Sequence, residues 1–153
     1  MSKRTKWILG ALGALLGYVL LYAVCESVPV VDIDRIIAIE SGGDKNAYNA
    51  GSGARGLMQI TPICLREWNK RHLRDQYTLD DLYNGEINIR IGTWYITSRI
   101  PQMLAYYQIP DTTTARLACY NFGIGNYRKY LLGQKQLPNE TKQYIVKYNR
   151  GRK

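Results

Sequence analysis

The chain has 153 residues and a mass of 17.5 kDa, room for one globular domain and little else. Hydrophobic residues make up 46% and charged residues 22%, which excludes an intrinsically disordered chain. The net charge of +9 calls for an acidic partner and goes no further, since nucleic acid, anionic lipid and cell-wall polymers all satisfy it.

Lys3, Arg4 and Lys6 precede Trp7–Val24, eighteen residues without a charge. As a helix that run spans about 27 Å, close to the ~30 Å hydrocarbon core of a bilayer. Glu26, Asp32 and Asp34 follow it, and the positive-inside rule then keeps residues 1–6 in the cytoplasm and sends everything after the run outside. The run exceeds a usual signal-peptide core, and Ala23-Val24-Cys25 is a poor cleavage site. An uncleaved signal-anchor over 7–24 is therefore the favoured reading, with a cleaved signal and a secreted product as the alternative. Residues 25–32 read as a linker.

From Asp32 onward the periodicity is helical. Asp32 or Asp34 can cap a helix carrying Ile33, Ile36, Ile37 and Ile39, which Gly42-Gly43 stops. A Gly-rich loop runs to Gly56, then a short apolar turn, Leu57 to Ile60. Thr61-Pro62 is an N-cap followed by an N1 proline, for a helix ending near Arg71. Thr78-Leu-Asp-Asp resembles a capping box. A longer helix from about Gly85 places Ile87, Ile91, Trp94, Tyr95 and Ser98 on one side, with Pro101 breaking or restarting it. Asp111 or a following Thr opens a helix through Leu117 and Tyr120, Gly123 and Gly125 interrupt it, and Asn139 can cap a last helix bearing Ile145 and Tyr148. No run of alternating strands appears. The fold class is all-α, a small helical domain over 33–149 with a basic tail at 150–153. Cys25, Cys64 and Cys119 with the one histidine, His72, form no metal-ligand spacing. Cys64 and Cys119 read as small buried hydrophobes, with a disulfide between them as the alternative.

Glu40 stands out chemically. It ends an Ile-rich helix, where the negative end of the macrodipole and the apolar surroundings both raise a carboxyl pKa toward the range a general acid needs. Taken alone, a helix-ending glutamate is better explained as a solvated surface residue.

The surrounding motifs give Glu40 a context. Glu40-Ser41-Gly42-Gly43, Gly53-Ala-Arg-Gly-Leu-Met-Gln-Ile-Thr-Pro62, Cys119-Tyr-Asn-Phe-Gly123-x-Gly125-Asn126 and Glu140-Thr-x-x-Tyr144 closely resemble, in order, the lytic transglycosylase SLT-domain family, which shares the goose-type lysozyme fold. Asn88-Ile-Arg-Ile-Gly92-x-Trp94-Tyr95 resembles that family's long central helix. The resemblance implies a lysozyme-like domain with a substrate groove, cutting the MurNAc–GlcNAc β-1,4 bond of peptidoglycan to leave 1,6-anhydro-MurNAc ends. It implies Glu40 as the single acid and base, and Ser41, Met58, Gln59, Tyr120, Asn121, Glu140 and Tyr144 as residues around the sugar. Two departures are visible. Cys119 replaces a usual alanine, and the Ser-Pro pair that many members carry is absent, leaving Asn49 or Ser52 to fill its place.

A conventional glycosidase needs two carboxylates, about 5–5.5 Å apart for retention or 6.5–9.5 Å for inversion. Between Glu40 and Pro62 the only other acid is Asp44, and Thr61 stands where an acid would be useful. The expectation is therefore a non-hydrolytic lyase with no metal or organic cofactor. Its partners would be glycan strands and, through residues 7–24, the inner membrane, with the domain in the periplasm and no nucleic acid. Such a small anchored domain would also suit an envelope-spanning assembly. The rivals are a goose-type-lysozyme-like hydrolase and a non-catalytic glycan-binding module.

Overall fold

Asp32 opens the first helix, α1 (Ile33–Glu40): its backbone is extended and its carboxylate accepts the Arg35 N–H at 3.2 Å, satisfying one of the donors that a helix start leaves unpaired. The computed structural model describes residues 29–150. The segment expected to be an anchor (7–24), most of the linker and the end of the basic tail lie outside those residues. Among the described residues no helix is long and apolar enough to cross a membrane.

After α1 the chain makes one excursion into strand. The two-residue strands β1 (Tyr48–Asn49) and β2 (Ala54–Arg55) pair antiparallel, Tyr48 opposite Arg55. Segments of two residues carry no alternation that a sequence could display. Thr61 then caps α2 (Pro62–Arg71) by accepting the Cys64 N–H at 3.2 Å, with proline at the first helical position where its missing N–H costs nothing. Thr78 and Asp81 bond each other reciprocally ahead of a 3₁₀ turn, Asp80–Tyr83.

The long helix forms in three segments: α3 (Gly85–Trp94), a π-helical turn (Tyr95–Arg99) and α4 (Ile100–Tyr106). Pro101 does not break it. The π turn widens the backbone by one residue just before the proline, with Ile100 N–H bonding the Tyr95 carbonyl, which relieves the clash a proline ring makes one turn back. Thr112 caps α5 (Thr113–Phe122), while Asp111, the other candidate cap, pairs with Arg116 through two bonds of 2.7 Å. Gly123, at φ +83°, turns the chain into α6 (Ile124–Leu131). The last helix is α7 (Asn139–Asn149). Asn139 is its first residue and Pro138 its cap, with no side-chain capping bond, so the expected Asn139 cap is not formed.

The core is built around α5, buried at every position from Ala115 to Cys119. Ile36 of α1, Ile91 of α3, Leu104 of α4 and Tyr148 of α7 close round it, each essentially unexposed. Cys64 and Cys119 are buried free thiols; the disulfide alternative is not formed.

Candidate active site

Glu40 is the last residue of α1, and Ser41 ends the helix by turning its hydroxyl to the Leu57 carbonyl at 2.8 Å. That bond ties the end of α1 to the loop Gly56–Ile60. The loop is fastened from below by Asn88, a fully buried amide on α3. Its Oδ1 accepts the Met58 N–H at 2.8 Å, and its Nδ2 donates to the carbonyls of Arg55 and Leu82, each at 2.8 Å. Gly56 lies so close to this amide that a Cβ would meet Asn88 Nδ2 and the Leu82 carbonyl at 2.3 Å, and its φ is +73°, so only glycine fits. From above, the Tyr120 hydroxyl donates to the Met58 carbonyl at 2.8 Å. Between these two grips Gln59 takes a positive φ of 48°, a conformation a non-glycine residue keeps only when its surroundings impose it. Its amide bonds the carbonyls of Ala47 and Gly56.

The cleft beside this loop has a volume of about 360 Å³. Glu40, Asn49, Gln59, Tyr120, Asn121 and Glu140, drawn from five separate segments, all line it, with Ser52 and Thr61. A more apolar hollow of about 210 Å³ continues it past Thr61 and Tyr120 toward Ile63, Cys64 and Phe122, giving a groove. Asn49 Oδ1 is engaged by the N–H groups of Gly51 and Ser52, so what Asn49 can still offer is its amide hydrogens. Ser52 Oγ accepts from Ala54 N–H at 3.3 Å and keeps its hydroxyl proton.

Two of the expected cleft residues do not present side chains there. Met58 is fully buried, packed where Gly92 leaves room: a Cβ on Gly92 would stand 2.4 Å from its sulfur. Its contribution is backbone. Ser41 is engaged with Leu57, and its role is likewise at the loop rather than in the cleft.

The third layer comes from α7. Tyr144 donates its hydroxyl to Glu40 Oε1 at 2.8 Å, and Thr141, three residues earlier, donates to Asn121 Oδ1 at 2.7 Å. Glu40's carboxyl is pushed up from its ordinary 4.5 to about 7. Burial is the largest cause, the Tyr144 hydrogen bond opposes it, and the negative charge of Glu140 adds to it. Tyr144's own hydroxyl is raised, by burial first and then by Glu40. The arrangement holds a carboxyl in a fixed orientation, protonated near neutral pH and open to a groove, as proton transfer to a bound substrate requires. Among the described residues no three His, Cys, Asp or Glu side chains converge as metal ligands.

Asn88 is absent from the residues the sequence marks for the site, whereas Glu140 is among them but for a different role. Asn88 was visible only inside a motif, and a buried asparagine between Ile87 and Ile91 on a helix face was its one further signal. Glu140 was counted with the sugar contacts rather than as a second carboxylate, because the tally of acids followed the chain from Glu40 to Pro62 and not the fold.

Comparison with known proteins agrees with this geometry. The family model described as the transglycosylase SLT domain matches residues 22–145. Over 75 residues the chain is 33% identical to membrane-bound lytic murein transglycosylase F of Alteromonas mediterranea, covering 49% of this chain and 14% of that protein. Over 66 residues it is 47% identical to membrane-bound lytic murein transglycosylase E of Buchnera aphidicola subsp. Baizongia pistaciae, covering 42% of this chain and 31% of that one. The crystal structure of the 70 kDa soluble lytic transglycosylase of Escherichia coli superposes with a TM-score of 0.64 at 25% identity, over 80% of this chain and 21% of its own. The chain thus spans less than a third of the length of each of these proteins. With the model matched across most of its length and the helices arranged as in a solved member, the chain belongs to the transglycosylase SLT domain family.

Proposed function

We propose that the chain is a peptidoglycan lytic transglycosylase in which Glu40 serves first as acid and then as base. The observation that carries this reading is the Glu40 carboxyl itself, desolvated, oriented by Tyr144 and raised to about 7 at the wall of a groove. Protonated Glu40 gives its proton to the glycosidic oxygen, and the bond to C1 of MurNAc breaks with positive charge developing at C1. The N-acetyl carbonyl of the same sugar shields that charge. Glu40, now ionised, takes the proton from the C6 hydroxyl as that oxygen bonds to C1. The 1,6-anhydro ring closes, the carboxyl is protonated again, and no water is consumed. Asn49, Gln59, Tyr120 and Asn121 supply the polar lining that would hold the sugars.

One observation favours the hydrolytic alternative: Glu140 brings a second carboxylate to the cleft. Its charge also serves the non-hydrolytic reading, since it helps keep Glu40 protonated. Digesting purified sacculi and weighing the products separates the two. Products lighter by one water and ending in 1,6-anhydro-MurNAc are expected; reducing MurNAc ends as the main product would overturn the transglycosylase reading.

Tyr144→Phe tests the carboxyl's environment. The lost hydrogen bond is the one influence that lowers the Glu40 pKa, so the alkaline limb of the pH–rate profile should move to higher pH. A hydrogen bond to a charged group is worth about 1.5–3 kcal/mol, so the first step, which turns Glu40 into that charged carboxylate, should slow about tenfold or more. An unmoved profile would remove Tyr144 from the site.

A further inference from the structure

α1 and α5 both carry their site residues, Glu40, Tyr120 and Asn121, at their C-terminal ends, so the N-terminal ends of these helices mark the pole farthest from the cleft. The described chain begins at that pole. Arg116, buried and paired with Asp111, donates to the Pro29 carbonyl at 3.2 Å, and the next residue, Val30, is 80% exposed. Tyr106 and Tyr107 close α4 a few residues before Asp111, their rings 5.0 Å apart, with Tyr106 also 80% exposed. α6 leaves the cleft at Gly123 and reaches the α4 end, where Arg128 lies over the Tyr107 ring at 5.1 Å; the exposed Leu131 and Leu132 follow within one helical turn of Arg128.

The charge around these apolar groups is mostly positive. Arg128 and Lys129 flank them on α6. Lys147 and Arg150 close α7, whose Tyr148 hydroxyl accepts the Asp32 N–H at the start of α1. Against these stand Asp32 and Asp111, paired with Arg35 and Arg116, and Asp34. Exposed tyrosine, leucine and valine beside arginine and lysine is the composition that suits the boundary between anionic headgroups and acyl chains.

The chain length ahead of Pro29 says what covers this pole. Only residues 25–28 separate it from Val24, the end of the uncharged run, and so few residues reach at most about 18 Å. We propose that the pole formed by Val30, Tyr106, Tyr107, Arg128, Leu131 and Leu132 docks on an anionic bilayer, with the cleft facing away from it. The proposal rests on the reading of residues 7–24 as an anchor.

The full chain, in a Cys25→Ser background, can carry an environment-sensitive fluorophore on Leu131→Cys at the pole or on Tyr48→Cys at the cleft hairpin, Cys64 and Cys119 being buried. It is reconstituted in vesicles of phosphatidylcholine with about 30 mol% phosphatidylglycerol and a headgroup quencher. The label at 131 should be quenched at least twofold more than the label at 48. The difference should shrink in pure phosphatidylcholine and in about 0.5 M salt. Arg128→Glu with Tyr106→Ser should remove at least half of it, while cleavage of soluble glycan in detergent stays within twofold. Protein that floats with the vesicles but shows equal quenching at both positions overturns the docking and leaves the anchor standing. Protein that does not float with them overturns the anchor, and the docking with it.

Discussion

Glu40→Gln is expected to cut glycan cleavage by about 10²–10⁴-fold or more, since one general acid–base group supplies that much and here a single group serves both steps. The variant should fold, because the amide oxygen can still accept the Tyr144 hydroxyl that now bonds Glu40 Oε1. It should also be the more stable protein at neutral pH. Glu40 holds its proton to about 7 in the fold against 4.5 as its ordinary value, so between those pH values the folded state binds more protons than the unfolded one. Stability then falls as pH rises through that window, by on the order of 3 kcal/mol at most, and glutamine has no proton to lose. Thermal unfolding of the two proteins at pH 4 and pH 8 checks this. Their melting temperatures should match at the lower pH and separate at the higher. A residual rate above about a tenth of wild type would displace Glu40 from the mechanism.

The second large effect is expected at a residue that touches no substrate. Asn88→Ala takes the Asn88 partner from the Met58 N–H and the Leu82 carbonyl, while the Arg55 carbonyl keeps the Ile60 N–H, and a buried group left unsatisfied costs about 1–3 kcal/mol. The sum over the two groups, about 2–6 kcal/mol, is a large share of the 5–15 kcal/mol that holds a domain together, and the melting temperature should drop by about 8–20 °C. Asn88→Asp separates shape from hydrogen bonding. A carboxylate there still accepts from Met58 but faces two carbonyls it cannot donate to. Its loss of stability should therefore grow as pH rises above about 4, where the unfolded aspartate ionises. If Asn88→Ala melts within about 3 °C of wild type, the amide does not hold the loop.

These two residues differ in how far the sequence displays them. Glu40 is singled out by its motif, Glu40-Ser41-Gly42-Gly43, with the motifs downstream rather than by its helix-end position alone, and the caps at Asp32, Thr61 and Thr112 are local signals that the fold realises. Helix existence depends on neighbours a few residues away, and the chain order states those. What a side chain faces depends on segments brought in from afar. Met58, on an apolar turn, reads as core from its own residue type and as a cleft residue from the motif, and Gly92, on another helix, supplies the space that buries it. Asn88 reads as an ordinary helix position until the loop at 55–58 is laid across it. Glu140 meets Glu40 only because α7 packs on α1. Pro101 restarts the helix, in the first turn of α4, and the means is one that periodicity does not register, the one-residue widening at Tyr95–Arg99.

The bond between Tyr144 and Glu40 joins positions 104 residues apart, nearly the full span of the described domain. A ribosome delivers Glu40 before Tyr144 by that whole interval. Until α7 emerges and docks, the carboxyl lacks the hydroxyl that orients it, the second carboxylate that biases it, and the helix that shuts out water. It is then an ordinary acidic side chain with ordinary proton affinity. For the proposed wall-cutting chemistry this order has a consequence: the acid becomes competent only once α7 has docked on α1, so the closing contact of the fold is also the one that arms the site.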